Sequence, residues 1–206
     1  SAGKTVIDFG TSLPSSTRAM GEKASALGAG YMDAPLGRTP AHAVDGLLNI
    51  MGAGDKDVYD RVKLVLDDLG ENVFHLGPLG AGHTVKLINN FFGMTVATTM
   101  SEAFAMADLA GVERQTVYDV MSAGPLHSGM MDFVKGYAVD GDPAQLAFAI
   151  KNGRKDVGYY ATMADDNGVV SLMSGATKQA LGLAVAEGKG DAMVSEMVDF
   201  FAELFK

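Results

Sequence analysis

The run Lys86-Leu87-Ile88-Asn89-Asn90 gathers one ammonium and two carboxamides within five residues. Lys86, Asn89 and Asn90 are spaced i, i+3 and i+4, so a helix would carry all three on one face. The neighbouring residues are largely apolar, and burying such groups is costly unless they meet something polar. A lysine in that setting can give or take a proton. The competing reading is a solvated polar stripe at the start of a helix.

Three further clusters could serve a ligand. Asp33-Ala34-Pro35-Leu36-Gly37-Arg38-Thr39-Pro40 puts a glycine, a cation and a hydroxyl just after a strand-like run. Gly37 permits close backbone approach and Arg38 offers a two-pronged donor for an acid group, against the alternative of a solvated surface loop. Phe148-Ala149-Ile150-Lys151-Asn152-Gly153-Arg154-Lys155-Asp156 ends in an adjacent opposite-charge pair, which elsewhere is a surface pair of little consequence. Gly10-Thr11-Ser12-Leu13-Pro14 sets hydroxyls at the carboxyl end of a strand, where open α/β sheets bind ligands. Thr11 or Ser12 could equally cap the next helix. His42, His75, His83 and His127 show no metal-ligand spacing, and no G-x-S-x-G elbow supports a serine hydrolase.

The elements that must position these groups come in two styles. Up to about residue 80, strand-like and helix-like pieces alternate, which predicts a layered α/β unit. The β-branched run Thr5–Phe9 predicts a strand, and Pro14 to about Leu27 a helix. Gly30–Pro35, Leu47–Met51 and Val73–Leu76 predict three more strands. Asp55 is the expected cap of a helix running to about Leu69. The glycine-rich Gly77–Gly82 predicts the domain boundary. His83 to Ala110, without proline, predicts a helix about 42 Å long, apolar on most faces and therefore buried in a core or an interface, with Gly111 as its stop. Helices are then expected near 113–122, 128–137, 144–166, 170–187 and 191–205, with no convincing strand after Leu76.

Composition bounds the partners. The formal net charge of −9 argues against nucleic acid or an anionic membrane as the main partner. With no cysteine there is no disulfide, thiolate nucleophile or thiolate metal site. No apolar run is long enough to span a bilayer, and the opening SAGKTVIDFG is too short in its apolar part, and interrupted by Asp8, to be a secretory leader. A cytoplasmic setting is expected. No strand followed by G-x-G-x-x-G, the dinucleotide fingerprint, is present.

Taken together, the clusters resemble the β-hydroxyacid dehydrogenase family, of the 3-hydroxyisobutyrate dehydrogenase and tartronate semialdehyde reductase type. Val6-Ile7-Asp8-Phe9-Gly10-Thr11-Ser12 looks like its D-x-S-T segment. Asp33-Ala34-Pro35 looks like its D-A-P-V-S-G-G loop. Gly80 to Asn90 looks like its G-x-G-x-x-x-K-x-x-N-N signature, and Lys155-Asp156 like its late K-D pair. The order matches over essentially the whole chain. The resemblance implies a partial Rossmann domain, residues 1–80, followed by an all-α domain, residues 81–206, of the 6-phosphogluconate dehydrogenase C-terminal type. It implies NAD or NADP as cofactor and a small anionic hydroxy acid or semialdehyde as substrate, in a homodimer or homotetramer. Lys86 is then the general acid/base, with Asn89 and Asn90 orienting it and the substrate. Gly37, Arg38 and Thr39 hold the substrate's acid group, and Thr11, Phe148 and Lys155 lie toward the cofactor. Two departures matter. The glycine fingerprint of the family falls upstream of residue 1, so this chain by itself is expected to bind dinucleotide poorly or not at all, and to be inactive alone. Gly37-Arg38-Thr39 stands where S-G-G is usual and is similar to the sulfolactaldehyde reductase loop, which admits a sulfonate as well as a carboxylate. The reading from a different class is a catalytically inert helical module for oligomerisation or binding.

Overall fold

The computed structural model describes residues 2–206. The chain forms two compact units: Ser1–Asn89 with Tyr159–Val170, and Asn90–Gly158 with Ser171–Lys206.

The first unit is built from two β-α-β pieces. Strand β1 (Thr5–Asp8) leads through α1 (Pro14–Ala26) to β2 (Gly30–Asp33), and β1 and β2 pair in parallel with Val6 opposite Tyr31. After the two-residue β3 (Leu36–Gly37) and α2 (Pro40–Val44), β4 (Leu48–Gly52) leads through α3 (Lys56–Asp67) to β5 (Gly70–His75). β4 and β5 are parallel, while β3 runs antiparallel to β4 with Gly37 opposite Asn49. A bridge between Asp33 and Ala53 joins the two small sheets. Their shared core holds Met32, Ala34, Leu48, Ile50, Val58, Tyr59 and Leu66.

Helix α4 (Ala81–Leu109) begins against this unit. Asp33, fully buried, accepts the backbone N–H of Gly80 on Oδ1 at 2.8 Å and that of His83 on Oδ2 at 2.7 Å. These are amide groups that a helix start leaves unpaired, and a carboxylate there also meets the positive end of the helix dipole. The fit is tight. A Cβ on Gly82 would lie 2.2 Å from the Met51 carbonyl oxygen and 2.8 Å from Asp33 Oδ2, so only glycine allows this approach. The buried His83 ring continues the tie: Nε2 donates to the Gly10 carbonyl at 3.3 Å, and Nδ1 lies 2.7 Å from Thr17 Oγ1 on α1. At the far end of α4, Gly111 has φ +73°, its N–H donates to the Asp108 carbonyl, and Val112 N–H to that of Ala107. This is the left-handed stop expected of a glycine there.

The second unit consists of the later part of α4, α5 (Arg114–Ser122), α6 (Gly129–Ala138), the start of α7 (Ile150–Asp166), α8 (Leu172–Ala186) and α9 (Met197–Leu204). Its core includes Met94, Met100, Phe104, Met131, Val134, Ile150, Val157, Leu181, Met197 and Phe201. The unbranched methionines fill irregular gaps among these helices. Polar ties bind the rim. Arg114 forks onto Asp108 and donates to the Ala138 carbonyl. The Tyr137 hydroxyl donates to Asp199 Oδ2 at 2.6 Å, a bond that with burial pushes the phenol up to about 12.

Several local expectations are corrected. Asp55 stands at the N-cap of α3, but its side chain accepts no capping bond. The N-cap of α1 is Leu13, so neither Thr11 nor Ser12 caps that helix. Helix α7 starts at Ile150, six residues later than expected. Pro143–Leu146 instead forms a 3-10 turn capped by Asp142, and Ala149 is drawn into a bridge with Met193. Residues 194–196 are a 3-10 turn before α9. β3 and α2 were not foreseen. On α4, Phe92 is 68% and Leu109 62% exposed in the single chain, so for these two the expected burial is that of an interface and not of the core.

Asp33→Asn should lower unfolding stability by about 2–3 kcal/mol, because one amide loses a charged acceptor and the new NH₂ faces an N–H. The urea midpoint reads this; an unchanged midpoint would show that Asp33 does not hold the start of α4. In the second unit, Tyr118 O–H donates to Asp132, and His127 Nε2 lies 2.8 Å from it. These contacts, the Tyr118 bond foremost, hold the Asp132 carboxyl below its ordinary 3.8. Stability from a lowered carboxyl is present above the ordinary value and lost as pH falls through the lower one. Asp132→Asn should therefore shrink the fall in melting temperature between about pH 5 and about pH 3; equal slopes for both proteins would refute this.

Candidate active site

In the first unit, Lys86 and Asn89 lie in the second and third turns of α4, after the start that Asp33 and Gly82 fix. Lys86 is half-buried and Asn89 exposed. Asn90 follows on the same helix and belongs to the second unit. The i, i+3, i+4 spacing thus falls on one continuous helical face.

In the second unit, Asn90 is buried and its Nδ2 donates to Asp156 Oδ2 at 2.7 Å. Asp156 is itself buried, and the Lys155 ammonium stands 3.0 Å from its Oδ1. A carboxylate only accepts, so the Asn90 amide must present its NH₂ to Asp156 and its carbonyl oxygen elsewhere. Asp156 therefore fixes the orientation of Asn90 and anchors Lys155, whose side chain is 46% exposed. Sequence reasoning named Lys155 and passed over Asp156; adjacency to lysine gave no sign of burial. Phe148 packs its ring against the core of this unit, and its carbonyl accepts Val194 N–H.

The hydroxyl segment after β1 offers a different environment. Thr11 and Ser12 are half-buried at the carboxyl end of β1 and do not cap α1. Gly10 N–H turns back onto Asp8 Oδ1 at 2.9 Å, and Tyr31 O–H donates to the other oxygen of Asp8 at 3.2 Å. Burial first, then the Asp8 charge, raises the Tyr31 phenol above its ordinary value. Polar, half-buried groups at a strand's carboxyl end fit the carboxamide end of a nicotinamide.

The loop after β3 holds the residues expected to meet an acid group. Gly37 is buried beside Asn49, where a Cβ would lie 3.3 Å from the Asn49 Cβ. Thr39 Oγ1 lies 2.7 Å from His42 Nδ1. Arg38, expected to present its fork to an acid group, donates from Nη1 to the Leu47 carbonyl at 2.7 Å and to the Glu71 carboxylate. Leu47 precedes β4, whereas Gly82 meets Met51 near its other end. Four residues of strand, about 13 Å at 3.3 Å per residue, separate the two carbonyls. Glu71 was not foreseen; it stands 33 residues from Arg38 with no local signal.

The comparisons agree with this architecture. Residues 80–201 match the family model for the NAD-binding domain of NADP-dependent 3-hydroxyisobutyrate dehydrogenase, and residues 1–77 match the NAD binding domain of 6-phosphogluconate dehydrogenase. The chain is 28% identical over 197 residues to glyoxylate/succinic semialdehyde reductase 1 of Arabidopsis thaliana, covering 96% of this chain and 68% of that protein. It is 28% identical over 185 residues to 3-sulfolactaldehyde reductase of Escherichia coli K12, covering 90% of this chain and 62% of that one. A crystal structure of 3-hydroxyisobutyrate dehydrogenase from Salmonella typhimurium superposes with a TM-score of 0.85 at 25% identity, covering 97% of this chain and 70% of that structure. No helix among the described residues is long and apolar enough to cross a membrane.

Asn90→Ala should cost about 1–3 kcal/mol, since a buried carboxylate oxygen loses its amide donor. Asn90→Asp should cost more, because two carboxylates would then face each other without water. Urea unfolding of both variants checks the order; a reversed order would show that the Asn90–Asp156 bond does not form.

Proposed function

Because the chain belongs to the β-hydroxyacid dehydrogenase family, we propose that it carries the proton-transfer face of a nicotinamide-dependent enzyme interconverting a small 3-hydroxy acid, or hydroxy sulfonate, and its semialdehyde. The observation that carries this reading is the polar triplet Lys86, Asn89 and Asn90 on one face of α4, a helix whose start is pinned by Asp33. Residues 1–80 act as the Rossmann-type part and 81–206 as the helical part.

When bound, NAD or NADP supplies or accepts the hydride. Thr11 and Lys155 are the residues of this chain that would hold it, with Phe148 giving an apolar wall. In the reductive direction, the Lys86 ammonium approaches the carbonyl oxygen. Its charge favours electron density gathering there, and it gives up a proton as that oxygen becomes a hydroxyl. In oxidation, neutral Lys86 takes the hydroxyl proton. Asn89 hydrogen-bonds Lys86 or the substrate hydroxyl, and Asn90 contributes its carboxamide oxygen, since Asp156 engages its NH₂. The Gly37–Thr39 loop meets the acid end, so positioning supplies part of the rate. The enzyme is expected to act as a homodimer or homotetramer.

The test is oxidation of NADH and NADPH with glyoxylate, succinic semialdehyde and 3-sulfolactaldehyde, followed by nicotinamide absorbance. Lys86→Ala should lower kcat by about 10²–10⁴ with an unchanged melting temperature. A variant that keeps near-normal kcat would remove Lys86 from the chemistry.

A further inference from the structure

Arg38 occupies a conformation that suits glycine. Its φ is +74°, and no other non-glycine among the described residues has a positive φ. A Cβ is disfavoured there, so something must hold the residue. The guanidinium does so through two acceptors from different strands, the carbonyl of Leu47 just before β4 and the carboxylate of Glu71 in β5. The same end of this sheet is cross-linked by Asn72 Nδ2 donating to Asn49 Oδ1 at 2.9 Å. β3 carries the chain antiparallel to β4, away from Met51 and Gly82, before Arg38 is reached. The cation is thereby drawn to the amino-terminal edge of the β4–β5 pair. That is the edge opposite the one at which open α/β sheets receive ligands.

We propose that Arg38 and Glu71 are positioning residues: Glu71 anchors Arg38, and the anchored Arg38 sets the backbone of Gly37–Thr39 without touching the substrate's acid group. This rests on the reading of that loop as the substrate loop. It follows that Arg38 does not choose between carboxylate and sulfonate. Arg38 is tolerated at a left-handed position because its side chain is held, and glycine could take that position without an anchor.

The test is a double-mutant cycle on the intact chain with Arg38→Ala, Glu71→Gln and both together, plus Arg38→Gly. Thermal midpoint and KM for succinic semialdehyde and 3-sulfolactaldehyde are read on each. Arg38→Ala and Glu71→Gln should each lower the midpoint by about 2–3 °C, and the double variant should fall less than the sum of the two. Arg38→Gly should recover most of the loss seen in Arg38→Ala, in midpoint and in KM. The ratio of the two KM values should stay within about twofold throughout. Additive midpoints would overturn the anchoring. A lower KM in Glu71→Gln, or a KM ratio that moves about tenfold in Arg38→Gly, would show instead that Arg38 holds the acid group. If the unaltered chain turned over neither substrate, as its expected weak hold on dinucleotide allows, the midpoint cycle alone would still decide the Arg38–Glu71 anchoring.

Discussion

A carboxylate sealed from water must have its charge met by the protein, and Asp33 meets that demand with the first turn of α4. Its backbone pairs with Ala53 and so joins the two small sheets. Its side chain takes the N–H groups of Gly80 and His83, and so joins the sheets to the helix. Removing the charge would strand two buried donors, and removing the helix would strand the charge. The two must form together. Lys86 and Asn89 lie one to two turns further along α4, so their placement within the first unit inherits the accuracy of this junction. His83, bridging to Gly10 and Thr17, extends the same constraint to α1 and to the hydroxyl segment before it.

The second unit uses the same device in another form. Asp156 is a buried carboxylate whose charge is met by a carboxamide from α4 and an ammonium from its own helix. In both units, a buried acid orients groups that chemistry would need. Arg114 and Tyr137 do comparable work at the rim, where partial solvation makes each tie weaker.

What could be read from the residues depended on range. α4 was legible because a long proline-free apolar stretch with glycines at either end admits few other structures, and its polar triplet is a local pattern. The β-α-β pieces were legible from alternation. β3 was not, since two residues leave no periodicity, and α2 is a single turn. The start of α7 was misplaced because Ala149 pairs with Met193, a partner 44 residues away. The same blindness covers the site. Asp33 reads as a strand end leading into a loop, with no sign that it accepts the N–H of Gly80, 47 residues later, at the start of a helix. Asp156 was read with Lys155 as an exposed pair. Arg38 was read as a free fork because Glu71 is distant in sequence. Residue types and spacing are local signals; the polar partners Asp33, Asp156 and Glu71 are set by contacts between distant parts of the chain.

The absence of a side chain at Gly82 has a consequence for how this protein can change over generations. The Met51 carbonyl stands where even a methyl would go, so drift at that position is closed whatever the substrate. The junction of helix and sheet is inherited as a unit. Change has more room away from that junction, as at Arg38, which already sits in a conformation that glycine would take freely.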